Sequence, residues 1–583
     1  MRFAPVGVAA LVAALHASVA SGQAAARDPF VPFICEDRRP RSADPASYGS
    51  QLDGTFRHPF ATPVDEENPH PFPGRRAGYD TASYRFGLRV EAAYEGNDFV
   101  PDPFHSWQNI VDFDGRRYLF HYDRSEGRVY DVTDVRRVTV VEKLTRDDVK
   151  AESGVNKEAM ASRDWQPHDF WGASSIQWNA KLQQYVMVQS FEQKRQVSEV
   201  KAEPPHDKFT NMAGVAALRA GRQLKGFKVF TLTGPRKMDW RLLAEVSTDD
   251  TQADPLRPEP GRPQQGSGSV DVPYYTGGKY LFIGVAPNDR YGNTEYPNYL
   301  YSPAYQGWDM EDPTHPKLLS TWHRPGQVQG EDSAYRSNPR CGNRTSWMGA
   351  RMPLFVPRPV EEGGRYGFAA LAGFGVSVLD VSDPAKMREI GHVDLPPSVA
   401  GTEADNIDVS QYERTGLIYV SGYPLTEDCY EPYKDIFQID ARDPAKPRIV
   451  GVLPRPRPPV GAGITDYCQR RGSFGPKRSG YYTSPGDPPA GLLIYGFYNA
   501  GVQVFDVRDP ARPRIAAYFV PKAFGKDTPE YAYGNQTHGV YIEWDRKIIW
   551  TFTNHGIYAL SAARLLGVPN LGAPKEPFRN SAR

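Results

Sequence analysis

One short phrase returns along the chain at intervals that no single sheet or helix bundle would need. It reads Tyr130-Asp131-Val132-Thr133-Asp134, Trp308-Asp309-Met310-Glu311-Asp312-Pro313, Leu379-Asp380-Val381-Ser382-Asp383-Pro384, Ile439-Asp440-Ala441-Arg442-Asp443-Pro444 and Phe505-Asp506-Val507-Arg508-Asp509-Pro510, with a weaker relative at Phe230-Thr231-Leu232-Thr233-Gly234-Pro235. From Asp309 the steps are 71, 60 and 66 residues, a repeat period with loops of variable length. Each copy follows an apolar or alternating strand such as 375–380 and precedes a second one such as 447–452. The second Asp can bond the amides of the turn between them, and Pro fixes φ where the turn wants it. Two further apolar runs lie upstream of each phrase, for example 406–409 and 417–421, giving four strands per repeat. A small sheet of this kind buries both faces only when its neighbours stack around an axis, which makes each repeat a propeller blade.

The spacing places seven blades at approximately 105–150, 165–250, 268–327, 340–397, 402–457, 461–521 and 533–572, an all-β, seven-bladed propeller of four-stranded blades over 105–572 with a tail at 573–583. Composition agrees: 53 Gly and 53 Pro interrupt long helices, and 33 Tyr with 28 Phe suit pleated surfaces. The last repeat shows only three strands before a helical run at Ser561–Leu566. Within the arm 23–104, Tyr84–Glu91 alternates and has two placements: the outer strand of the seventh blade, closing the ring, or a helix or arm on the surface.

The pattern around Val502–Pro513 resembles the LVIVD-repeat family of β-propellers. The resemblance spans about 105 to 561, with a degenerate second repeat and departures at 191–225 and 288–306. It implies an exported propeller, often surface-associated, and assigns no catalytic residues.

Charge and compartment narrow the partners. With 69 Lys and Arg against 69 Asp and Glu, no positive field attracts nucleic acid or anionic lipid. Residues 1–22 have the charged start, apolar stretch and small-residue end of a secretory signal, too short to span a bilayer comfortably. The expectation is export to the periplasm or the extracellular space, without a membrane span, as a monomer. In such a compartment Cys35, Cys341, Cys429 and Cys468 allow two disulfides, with Cys429–Cys468 and Cys35–Cys341 favoured because the first pair joins neighbouring repeats; four unpaired thiols are the alternative.

Loops entering the innermost strands converge at one mouth of a propeller. The residues there include His105, His168, His538 and Glu403 as acid–base candidates, and Trp107, Trp171, Asp271, Arg344, Trp347 and Asp405 as ligand contacts. His105, His168 and His538 with Asp169 could also hold a divalent metal; no other cofactor is specified. Each such polar residue has a structural use as well, bonding the backbone of the neighbouring blade. No GxSxG, P-loop, HExxH or dinucleotide fingerprint occurs. The expected function is binding of a small polar or aromatic ligand at the channel mouth, with acid–base lyase, isomerase or hydrolase chemistry if it is an enzyme; the alternative is a non-catalytic scaffold for partner proteins.

Overall fold

The computed structural model describes residues 80–95, 107–122, 127–144, 174–193, 224–248, 273–287, 291, 304–327, 348–395, 402–424, 434–464, 467–470, 473–479, 484–523, 536–553 and 555–577. Two strands come first, β1 (Tyr84–Phe86) and β2 (Arg89–Glu95). Blade one is β3 (Trp107–Phe113), β4 (Arg116–Tyr122), β5 (Gly127–Asp131) and β6 (Thr139–Leu144); blade two is β7 (Ser174–Asn179), β8 (Gln184–Gln193), β9 (Leu224–Leu232) and β10 (Trp240–Ser247). Blade three is β11 (Tyr274–Tyr275), β12 (Tyr280–Val285), β13 (Ala304–Asp309) and β14 (Lys317–Trp322); blade four is β15 (Met348–Phe355), β16 (Tyr366–Ala372), β17 (Val376–Asp380) and β18 (Arg388–Val393). Blade five is β19 (Thr402–Asp408), β20 (Leu417–Tyr423), β21 (Ile436–Asp440) and β22 (Arg448–Val452). β23 (Leu492–Gly496), β24 (Val502–Asp506) and β25 (Arg514–Val520) belong to blade six, and β26 (Thr537–Glu543), β27 (Ile548–Thr553) and β28 (Gly556–Ser561) to blade seven. Seven four-stranded antiparallel sheets result, with the first strands of blades one to five touching in sequence. The chain is a seven-bladed β-propeller.

The two amino-terminal strands complete the ring, dividing the segment differently from the sequence expectation. β2, not the whole of Tyr84–Glu91, pairs with β28 as the outer strand of blade seven. β1 instead extends blade six alongside β25. Gly87 makes the crossing between blades at φ +69, and a Cβ there would stand 2.9 Å from that of Ala517, so both its backbone and its space favour glycine. Buried Arg470 anchors the approach, donating to Asp80 Oδ2 at 2.5 Å and to the carbonyls of Ala82 at 2.5 Å and Pro521 at 2.7 Å. On the inner side of blade six a single bridge, Ser479 to Tyr495, stands in place of a regular strand.

The repeated phrase forms the turn from third to fourth strand. Asp380, Asp440 and Asp506 each accept the amide two residues on, at 3.2 Å. The second Asp does the same at Asp383, Asp443 and Asp509. An arginine opening the fourth strand then meets the first carboxylate, Arg388 at 2.9 Å, Arg448 at 3.0 Å and Arg514 at 2.8 Å. Hydrogen bonding from Arg442 outweighs partial desolvation and lowers Asp440 to about 2. Just beyond these turns, all seven fourth strands carry a one-residue register shift, which bends the outer strand and increases its twist.

Seven apolar clusters fill the seams, one between each pair of adjacent blades around the ring. The seam between blades one and seven also holds a charged network. Arg117, fully buried, donates to both carboxylate oxygens of Asp112 at 2.8 and 2.9 Å, to Glu543 at 2.5 Å and to Asp545 at 2.7 Å. Arg546 grips Glu543 with two bonds of 2.6 Å and reaches the carbonyls of Val132, Thr133 and Gly572. Burial works against the Glu543 charge, but Arg546 and Arg117 prevail and hold its carboxyl down at about 2. The indole of Trp550 adds a 2.6 Å bond to the same carboxylate.

This network and the repeated turns should differ sharply in worth. Arg117→Ala leaves buried carboxylates uncompensated and is expected to lower the unfolding free energy by about 3–5 kcal/mol. Arg388→Ala, at an arginine whose side chain is 65% exposed, should cost under about 1 kcal/mol. Urea unfolding of both variants checks the contrast; equal losses would contradict it.

Candidate functional site at the first-strand end

The antiparallel order puts the starts of the first strands and the connections between second and third strands at one end of the ring, opposite the Asp turns. Of the residues expected there, His105, His168, Asp169, Trp171, Asp271, Arg344 and Trp347 lie outside the described residues, as does the side chain of Trp107. His538, Glu403 and Asp405 are described, and all three are buried on first strands, with Asp405 at 0% exposure. The signal segment, Cys35, Cys341, Cys429 and the side chain of Cys468 also lie outside the described residues.

The described candidates share a backbone feature. In β26 the register shifts between Thr537 and Gly539, placing His538 in a bulge. In β19 it shifts between Thr402 and Asn406, across Glu403 and Asp405. β15 shifts on both sides of Arg351, with Gly349 at φ +81 and Met352 at φ +58. By contrast, the first strands of blades one and two pair in continuous register. Bulges re-aim side chains away from the regular alternation, and here they do so on three inner strands.

Arg351 is the residue that sequence reasoning missed. It stands in the largely apolar run Met348–Phe355, where one arginine was the available signal. Its Nε lies 3.4 Å from Asp405 Oδ1, across the seam between blades four and five. Neither Asp405 oxygen accepts a hydrogen bond, so this is an ion pair without hydrogen-bond geometry. Tyr305 of blade three supports the bulge from behind, its hydroxyl donating to the Arg351 carbonyl at 3.1 Å. Asn406, on the other side of β19, reaches Ser479 of blade six at 3.3 Å; Asp408 accepts from the Ser410 amide at 2.8 Å and is a turn residue.

His538 lies edge-on to the Tyr498 ring, with centroids 5.4 Å apart. Tyr498 exchanges backbone hydrogen bonds of 3.1 and 3.0 Å with Thr537, which ties blade six to the bulged strand of blade seven. The glycines at 373–375 form a reverse turn, in which Gly375 donates to the Ala372 carbonyl at 3.0 Å. Among the described residues, no three His, Cys, Asp or Glu side chains converge as a metal set.

A further cluster has the residue types of a nucleophilic triad but not its chemistry. Ser377 Oγ lies 3.1 Å from His392 Nδ1, and His392 Nε2 lies 3.1 Å from Asp394. The hydroxyl donates instead to Glu389 at 2.7 Å, a carboxylate pinned by Arg324 at 2.5 and 2.6 Å. Ser377 is fully buried. An acceptor-only carboxylate thus holds the proton a base would have to remove.

His121 is a buried imidazole without hydrogen bonds. Blade one turns it toward Phe552 of blade seven, 4.6 Å away between ring centroids. Neither ring nitrogen is hydrogen-bonded, nor is the Nε2 of Gln108, its partner across β3 and β4. Burial, with a smaller contribution from the Arg128 charge, lowers its pKa to about 3.

No family model and no curated protein matches the chain. Similar solved structures include Chaetomium thermophilum Sqt1 bound to the N-terminus of ribosomal protein L10, 10% identical, covering 81% of this chain and 99% of that one with a TM-score of 0.36. Another is the Pseudomonas aeruginosa periplasmic gluconolactonase PpgL, 11% identical, covering 81% and 98% with a TM-score of 0.38. No helix among the described residues is long and apolar enough to cross a membrane.

His121 gives a pH signature. Below about pH 6.5 the unfolded chain takes up a proton that the folded protein refuses until about pH 3. Stability therefore falls with decreasing pH across that window, by up to about 1.4 kcal/mol per unit. Loss of the Glu543 contribution adds to the decline only below about pH 4.5. His121→Phe should reduce the slope between pH 6.5 and 4.5 in urea titrations, leaving the share of His555, whose pKa burial also lowers; an unchanged slope would contradict this account.

Proposed function

We propose that the protein is an exported propeller of the LVIVD-repeat kind that binds a small polar or aromatic ligand at the first-strand end of its channel. The observation that carries this reading is Asp405: a fully buried carboxylate with no hydrogen bond to either oxygen, beside Arg351 on two adjacent bulged strands. A buried charge left without hydrogen bonds is costly, and a ligand supplying donors recovers part of that cost. Glu403, on the same bulge, would extend the acidic side of the site. His105 and His168, by their places ahead of β3 and β7, would join His538 as contacts or acid–base groups from blades one, two and seven, with Asp169 available if a divalent metal binds there. Trp107, Trp171 and Trp347 would supply stacking surface, and Asp271 and Arg344 polar contacts.

Thermal unfolding of the full mature protein, scanned against small carboxylic acids, sugars and aromatic amines, tests the reading. A binding compound at a hundredfold its Kd stabilises by about 2.7 kcal/mol, and Asp405→Asn and Arg351→Ala should abolish that stabilisation while the unliganded fold is retained. No stabilising compound, or stabilisation unchanged in both variants, would overturn it.

Export carries its own expectation. Mass mapping of the secreted protein under non-reducing conditions should find Cys429 joined to Cys468, and removing that bridge should cost about 2–5 kcal/mol. Free thiols at both positions, or a retained amino-terminal segment with no secretion, would contradict the exported, disulfide-bonded form.

A further inference from the structure

We infer that the Asp-turn end of blade two is a docking surface for an anionic lipid membrane, separate from the channel site. This is the repeat whose phrase is degenerate: Thr231 and Gly234 stand where other blades carry the two aspartates. The turn from β9 to β10 is built another way. The Thr233 amide and hydroxyl both donate to the Asp239 carbonyl, at 3.1 and 3.0 Å, and the Asp239 carboxylate accepts the Arg236 amide at 3.0 Å. The loop so closed carries Arg236, Lys237 and Met238 in its middle, with Met238 84% exposed.

Loss of the aspartates lets positive charge accumulate. The two connections of blade two at this end and the start of β10 carry Lys181, Arg236, Lys237 and Arg241 against one carboxylate, Asp239. In blade five the corresponding turn sets Asp440 and Asp443 against Arg442, Lys446 and Arg448. Acids near the blade-two surface are engaged by other groups: Glu311 lies 3.5 Å from Lys279 Nζ, Glu245 lies 3.5 Å from Lys228 Nζ, and Glu142 of blade one accepts the Lys237 amide at 3.2 Å. Even with Glu142 counted beside Asp239, the cations are in excess, so the neutrality of the whole chain does not extend here. Tyr185 pairs with Leu232, which stands the turns at 180–183 and 233–239 side by side.

Exposed apolar side chains stand among these cations. Besides Met238, Leu182 at the first turn and Leu242 on the outer strand reach solvent. Cations around apolar side chains on projecting turns suit the interface of an anionic bilayer, where the apolar groups enter the headgroup–acyl boundary and Lys and Arg meet phosphate. A protein partner needs about 800 Å² of complementary surface on each side, and two short turns offer little of it. Docking through this end turns the first-strand end away from the lipid.

Cosedimentation of the full mature protein with vesicles of phosphatidylcholine and phosphatidylglycerol in equal parts tests the inference, with pure phosphatidylcholine vesicles and poly-L-glutamate beside them. Binding should occur with the anionic vesicles alone and weaken as salt rises. Arg236→Ala and Arg241→Ala should each weaken it about fivefold. Met238→Ser, which leaves the charge unchanged, should weaken it about threefold. All three side chains are exposed, so melting should stay the same. Equal binding to neutral vesicles, binding to neither, or binding indifferent to all three substitutions would overturn the inference. Binding of poly-L-glutamate without binding of vesicles would also overturn it, assigning the surface to an acidic protein.

Discussion

The pairing of β2 with β28 is the constraint on which the rest depends. Every blade has two apolar faces, and in a ring each face is covered only if the first and last blades meet. The chain meets this requirement by giving blade seven a strand from its amino-terminal part, so that opening the seam would mean withdrawing a strand as well as separating two surfaces. Beside that pairing, Arg117, Glu543 and Arg546 bind the same two blades through buried charge. The carbonyls of Val132, Thr133 and Gly572 satisfy the remaining donors of Arg546. A buried ion network contributes favourably when its groups are this fully bonded.

The same rule separates the charged groups at the two ends of the ring. At the Asp-turn end, the carboxylates of the repeated phrase are bonded by backbone amides and arginines, as at Asp380, Asp440 and Asp506, and their role is to shape turns. At the first-strand end, Asp405 is equally buried but unsaturated, and His121 and Gln108 carry unbonded polar atoms in another seam. Polar satisfaction is thus spent on closing and turning the chain, and it is incomplete where the bulged inner strands of blades four and five meet. This asymmetry places the candidate site more sharply than residue type does, because Asp and Arg occur at both ends.

Much of the architecture was legible in the repeat. The phrase around Asp380, Asp440 and Asp506 marks the end of a third strand, and counting from it yields the blades. The division of Tyr84–Glu95 at Gly87 was not legible, since alternation continues on both sides and only the positive φ reveals the change of blade. The inner edge of blade six was hidden for a different reason: Lys477-Arg478-Ser479 has no apolar alternation because it pairs through a single bridge. Glu403, Asp405 and His538 stood out as polar residues at the starts of apolar strands. Arg351 did not, because its relation to Asp405 depends on register shifts in two strands far apart in sequence, and bulges of that kind leave no fixed mark in composition or period.

Hydrogen–deuterium exchange of the intact chain tests the closed ring most directly. The account predicts that the amides of β2 which pair with β28 exchange together with those of β28 and as slowly as the paired amides of other outer strands such as β18 and β22, because their exposure requires opening of the ring. Rapid exchange throughout β2 while β27 and β28 remain protected would contradict closure by the amino-terminal strand.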